Sequence, residues 1–127
     1  MAFEVTAFDT RSAACGEETD RETACRVVEG IVAAALGTRI GDVRATGRGR
    51  ARIASARQAA MYLAHVKLGL SLTSVGEHFG RDRTTVAHAC ARVEDSRDDP
   101  RREQILRCLE AAIDVWQQGF RWTGAAR

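Results

Sequence analysis

Apolar residues recur every three or four positions along most of this 127-residue chain, the spacing that lines one face of an α-helix. Thr19-Asp20-Arg21-Glu22 is a capping box. The helix it opens carries Cys25, Val28, Ile31, Val32 and Ala35 on one stripe and meets a C-cap glycine at Gly37. Thr38 is placed to cap a short helix with Ile40 and Val43 inward. A central helix follows from Ala51 to Lys67, with Ile53, Ala56, Ala60, Leu63 and Val66 as its buried stripe and Ala59 and Met61 beside it. Leu72, Val75 and Phe79 mark a shorter helix between Ser71 and Gly80, and Val86, Ala89, Cys90 and Val93 mark another. The last helix starts at Pro100, a residue suited to a first turn. It buries Ile105, Leu106, Leu109, Ala112, Ile113 and Trp116, and ends at Gly119. The pattern predicts an all-α fold of about six helices. One domain spans 19–119, between a flexible segment at 1–18 and a tail at 120–127. Phe3, Val5 and Phe8 are expected to dock on the chain's own surface. Phe120 and Trp122 either meet a partner or fold back on the core.

Two neighbouring helices carry the most chemistry. In GRDRTTVAHACAR (Gly80 to Arg92), Thr84-Thr85 can start a helix, since a threonine hydroxyl accepts from the orphan N–H groups of a first turn. Asp82 adds negative charge at the positive end of that helix. With the apolar stripe turned inward, Thr84, Thr85, His88 and Arg92 form an outward stripe of hydrogen-bonding groups. Two short helices joined by a glycine-containing turn describe a helix-turn-helix, the motif that lays its second helix in the DNA major groove.

Charge supports that direction. The net charge is only +2, but residues 1–36 carry −4, residues 37–92 carry +7 and residues 93–127 carry −1. The positive stretch contains the helix-turn-helix. It also contains ATGRGRARIAS (Ala45 to Ser55), where Arg48, Arg50 and Arg52 alternate with Gly47, Gly49 and Ala51. That stretch is either a solvated loop or an arm that follows phosphates or enters a minor groove, where arginine is favoured. Arg57 and Gln58, near the start of the central helix, combine a basic side chain with a helix N-terminal region, and both suit an anion. Tyr62 and His65 read as packing or surface residues.

Other chemistries find little support. The cysteines at 15, 25, 90 and 108 lack zinc spacing, and Cys25, Cys90 and Cys108 fall in helix patterns, where a free thiol packs as a small hydrophobe. His65, His78 and His88 share no metal-ligand spacing. There is no G-x-x-x-x-G-K-[ST] phosphate loop, and the one lysine, Lys67, is followed by leucine. No apolar run approaches the ~20 residues of a membrane span, and no signal-peptide pattern is present. A cytoplasmic protein with no catalytic activity, cofactor, metal or nucleotide is expected.

ARQAAMYLAHVKLGLSLTSVGEHFGRDRTTVAHACARVE (Ala56 to Glu94) resembles the C-terminal DNA-binding domain of the bacterial replication initiator DnaA. The ARQ-AMYL stretch, SL-x-x-VG-x-x-F and RD-x-TTV-x-HA all match, and a looser match runs from about Val27 to about Ile105. The resemblance implies a domain that reads double-stranded DNA. In the family, the loop before the central helix places a basic residue in the minor groove. The matching position lies near Gly49, so Arg48 or Arg50 is the candidate. The positions of Arg57 and Gln58 hold phosphates. The position of Arg83 is usually a histidine that contacts a base edge, and two glycines often precede the Arg-Asp pair, where this chain has only Gly80. Base contacts are therefore assigned to Asp82, Arg83, Thr84, Thr85 and His88. Backbone or minor-groove contacts are assigned to Arg48, Arg50, Arg52, Arg57, Gln58, Leu72, Thr73 and Arg92.

DnaA initiators carry an ATPase module before this domain, and the chain has no sequence for one. The leading expectation is a stand-alone, sequence-specific transcription regulator, resembling the DNA-binding half of activators of gene-transfer-agent clusters. Its helix at 83–95 would lie in the major groove, with the Arg-rich loop at 44–52 alongside. RNA polymerase or a co-activator is a candidate protein partner. The alternative is a replication-control protein that binds DnaA-type sites and competes with or assists the initiator. A third reading, an adaptor that lost DNA contact, fits poorly with the retained Arg57, Asp82, Thr84 and Thr85.

Overall fold

The computed structural model describes residues 13–38 and 51–125, with side chains described from 20 to 38 and from 51 to 119. Among the described residues there are five helices and no strand. They are α1 (Ala13–Leu36), α2 (Ala51–Val66), α3 (Leu72–Phe79), α4 (Arg83–Ser96) and α5 (Pro100–Ala125). The short helix expected around Ile40 and Val43 lies outside the described residues.

Helix α2 is the hub, packing against α4, α1 and α3. Alanine makes this possible. Ala56, Ala59, Ala60 and Ala64 are buried beside Met61, Tyr62 and Leu63, so α2 is enclosed on most sides and neighbouring backbones approach closely. The core is completed by Val28 and Val32 of α1, Val75 and Phe79 of α3, Val86, Ala89 and Val93 of α4, and Leu106, Leu109 and Ile113 of α5.

Several boundaries differ from those the sequence suggests. Helix α1 starts at Ala13, ahead of the Thr19 capping box. Alanine and glutamate between 13 and 18 propagate a helix well, and a capping sequence permits a start without enforcing one. At the other end, Gly37 is left-handed (φ 70°) and the Thr38 N–H reaches the Ala33 carbonyl at 2.9 Å, a Schellman closure. Helix α5 passes through Gly119 to Ala125, although the glycine was expected to end it and leave a tail. An interior glycine costs about 1 kcal/mol, which weakens a helix without terminating it.

Four stripe positions also turn outward. Val66, Ile105 and Ala112, expected in the core, are exposed, and Ala35 is exposed on α1. The core touches only a narrow arc of α5, centred on Leu106, Leu109 and Ile113, so residues one step around the helix face solvent. Trp116 is half-buried. It lines a shallow cleft with Leu68, Leu70 and Ala24. Cys25 is buried, Cys90 half-buried and Cys108 exposed, so the thiol at 108 is not a core residue.

Candidate nucleic-acid interface

The turn between α3 and α4 is built from short-range hydrogen bonds. Ser71 caps α3, its hydroxyl accepting from the Ser74 N–H at 3.0 Å. Gly80 ends α3 in the left-handed region at φ 69°, with its N–H on the Gly76 carbonyl. The Arg81 N–H bonds to the same carbonyl at 2.9 Å. A single glycine therefore supplies the left-handed residue the turn needs. Gly76 has a different constraint. A Cβ there would lie 2.4 Å from the Arg81 carbonyl oxygen, so only glycine lets α3 pass this close to the turn.

Asp82 is the N-cap of α4, and its carboxylate accepts from the Thr85 N–H at 2.8 Å. Thr84-Thr85, expected to start the helix, lie within its first turn rather than at the cap, because the Asp82 carboxylate accepts from the Thr85 N–H and so takes the cap. Hydrogen bonds from Thr85, the backbone one first, hold the exposed Asp82 carboxyl below its ordinary range. The first turn of α4 is thereby fixed, with Arg83, Thr84 and Thr85 exposed on it and His88 exposed on the next turn.

The positive charge beside this helix comes from two elements. Arg57, half-buried on α2, lies close enough to Arg81 in the turn for like-charge repulsion to act between them. Burial first, and then Arg81, work against the Arg57 charge. A guanidinium keeps its proton regardless, so the fold holds two positive charges together at the foot of α4. Arg81 was not among the residues assigned from sequence, although it stands in the same RDRTT block. Only the fold reveals its proximity to Arg57.

The remaining assigned residues divide. Leu72 and Thr73 form the first turn of α3, Leu72 half-buried and Thr73 exposed. Gln58 does not face the same way as Arg57. It lines a cleft between α2, α4 and α5 with Arg92, Ser55, Ser96 and Arg102. Arg52 is exposed in the first turn of α2. Arg48 and Arg50 lie outside the described residues.

Two polar networks, one buried and one half-buried, hold the interface in place, and sequence reasoning missed both. Glu29, 3% exposed, meets His78 Nε2 at 2.6 Å, tying α1 to α3. The available signal was Glu29 standing in phase with Cys25 and Val32 on the apolar face of α1. Just beyond α4, Arg97 donates to Glu103, Glu110 and the Tyr62 hydroxyl at 2.7, 2.8 and 3.0 Å. Tyr62 in turn donates to Glu94 at 2.6 Å. Bonds to Glu110, then Glu103, push the Arg97 pKa upward. This network locks the end of α4 to α2 and α5. His65 has a local role, its Nδ1 donating to the Leu70 carbonyl at 2.7 Å. Among the described residues no cluster of three or more histidine, cysteine or acidic side chains could hold a metal, and no helix is long and apolar enough to cross a membrane.

The sequence is similar to that of known proteins. Residues 26–93 match the family model described as bacterial dnaA protein helix-turn-helix. The chain is 40% identical over 88 residues to the chromosomal replication initiator protein DnaA of Symbiobacterium thermophilum, covering 68% of this chain and 19% of that one. It is 37% identical over 90 residues to that of Caldanaerobacter subterraneus subsp. tengcongensis, covering 71% and 20%. It is 40% identical over 76 residues to DnaA 1 of Protochlamydia amoebophila, covering 58% and 17%. The chain thus spans about a fifth of the length of these relatives. With the helix-turn-helix geometry and the match across residues 26–93 in agreement, this chain belongs to the bacterial DnaA helix-turn-helix family, whose shared module is a DNA-binding domain.

Proposed function

We propose that this protein is a sequence-specific double-stranded DNA-binding transcription regulator. One observation carries the reading: the start of α4, capped by Asp82, presents Arg83, Thr84, Thr85 and, a turn on, His88 to solvent, beside the Arg57–Arg81 pair. A rigid turn with exposed donors suits base edges in a major groove, and clustered guanidiniums suit phosphates. Arg57, Arg81, Arg92 and the first turn of α3 at Leu72 and Thr73 would hold the backbone. The arginines of the 44–52 stretch would reach into the neighbouring minor groove. DNA binding of this kind needs no catalytic residue, cofactor or nucleotide, and RNA polymerase or a co-activator would be the protein partner of an activator.

A second reading is replication control at DnaA-type sites, favoured by the likeness to replication initiators over most of this chain. Chromatin immunoprecipitation of the tagged protein tests both. Enrichment upstream of genes whose transcripts change on deletion supports regulation. Enrichment confined to a replication origin, with transcripts unchanged, supports the second reading. Even coverage of the genome would refute sequence-specific binding altogether.

A further inference from the structure

Charge is unbalanced at the cleft between α2, α4 and α5. Arg92 of α4 and Arg102 of α5 line it with Ser55, Gln58 and Ser96, and none of its lining residues is acidic. Both arginines are exposed. Among the described residues no carboxylate pairs with either of them, whereas Arg26, Arg97 and Arg107 each meet a glutamate. Two guanidiniums on one cleft with no acid to offset them suit an anion between them. The recognition helix indicates which anion. Arg92 follows Thr85 by seven residues, nearly two full turns, and so shares a face of α4 with Thr85 and His88. At 1.5 Å per residue it stands about 10 Å further along the helix. A major groove is about 12 Å wide, so a helix that reads bases at Thr85 brings Arg92 to the phosphates at the groove's edge. Arg102 comes from a different helix, in the first turn of α5, and lies beyond residues 26–93, which match the family model.

We propose, resting on the DNA-binding reading above, that this cleft grips the DNA backbone between Arg92 and Arg102, which makes Arg102 a phosphate contact outside the helix-turn-helix. Guanidiniums from two helices hold a phosphate from either side, each through paired N–H donors. The Gln58 amide and the Ser55 hydroxyl offer further donors from α2. The Ser96 hydroxyl does not, because it donates to the Val93 carbonyl at 2.6 Å. Arg97, just past the end of α4, meets Glu103 at 2.7 Å and Glu110 at 2.8 Å. These bonds tie the start of α5 to the end of α4, so the spacing of the two helices that carry the arginines is set before DNA arrives. A backbone grip of this kind adds affinity without sequence preference.

Fluorescence anisotropy of the full chain on a random-sequence duplex, over a salt series, tests the grip. Arg102→Ala should weaken binding about five- to tenfold at about 0.1 M salt and lower the slope of log affinity against log salt by up to about 0.9, with thermal stability unchanged. Arg102→Lys keeps the charge and should bind nearly as the parent does. Arg107→Ala removes the same charge from a part of α5 outside the cleft and should leave the slope unchanged. An Arg102→Ala variant with the parent's affinity and slope overturns the proposal while leaving DNA binding itself intact. So does an Arg107→Ala variant that loses as much as Arg102→Ala, or an Arg102→Lys variant as weak as Arg102→Ala. A parent chain that binds no duplex refutes the DNA-binding reading, and the grip with it.

Discussion

Replacing Gly76 with alanine sets local propensity against tertiary geometry. On an ordinary helix the change stabilises, since alanine is favoured over glycine by about 1 kcal/mol. At position 76 the new Cβ would stand 2.4 Å from the Arg81 carbonyl oxygen, where real Cβ contacts essentially never fall below 3.0 Å. The obstacle is backbone, so no side chain can swing aside. The turn must move, and it is the turn whose Gly80 and Arg81 N–H groups both bond to the Gly76 carbonyl. Overpacking of this kind costs roughly 1–3 kcal/mol, so a net loss of up to about 2 kcal/mol should remain after the propensity gain. Urea unfolding followed by circular dichroism should show a lower midpoint. Fluorescence anisotropy, under conditions where the variant is folded, should show weaker DNA binding, because the displaced turn carries Arg81 and the Asp82 cap. A variant as stable as the parent or more so, with unchanged DNA affinity, would refute the reasoning.

Other expectations concern the proposed contacts. Arg57→Ala should weaken binding to specific and random DNA alike and reduce the slope of log affinity against log salt by about 0.9; weakening confined to the specific site would contradict a phosphate role. Arg83→His should change the preferred base where this side chain lands, with roughly 1–3 kcal/mol of discrimination at stake. A uniform loss of affinity across all bases would reduce Arg83 to a phosphate contact. Because the Asp82 carboxyl is held below its ordinary value, its charged form stabilises the fold. That contribution is present above the ordinary carboxylate range and is lost as pH falls through the depressed value. The stability gap between the parent and Asp82→Ala should therefore narrow on acidification, and a gap independent of pH would argue against the cap. Calorimetry with ATP should show no saturable binding, and a micromolar isotherm would reveal a site that the residues described above do not supply.

What the sequence determined alone is local. Helix α4 follows from Val86, Ala89 and Val93 at helical spacing, and the turn follows from Gly80 between that stripe and the stripe of α3. Both depend on hydrogen bonds spanning three to five residues, so neighbouring positions suffice to infer them. The block from Ala56 to Glu94 likewise identified the family without coordinates. Even within this range, Asp82 rather than the threonines took the cap, because a carboxylate competes for the same N–H groups.

Tertiary structure decided which face each helix buries and which distant residues meet. Val66, Ile105 and Ala112 have the right periodicity and still face solvent, since periodicity shows that a stripe exists but not how wide an arc its neighbours cover. Gly76 reads as a helix weakness until the Arg81 carbonyl is seen against it. Glu29 meets His78 across 49 positions of sequence, and Arg97 reaches Tyr62 across 35. The Arg57–Arg81 pair arises in the same way, from two elements folded onto each other. Hydrogen-bond periodicity is written in neighbouring residues, whereas these contacts depend on the angles at which helices pack, and those are set by the volumes of all the core side chains together.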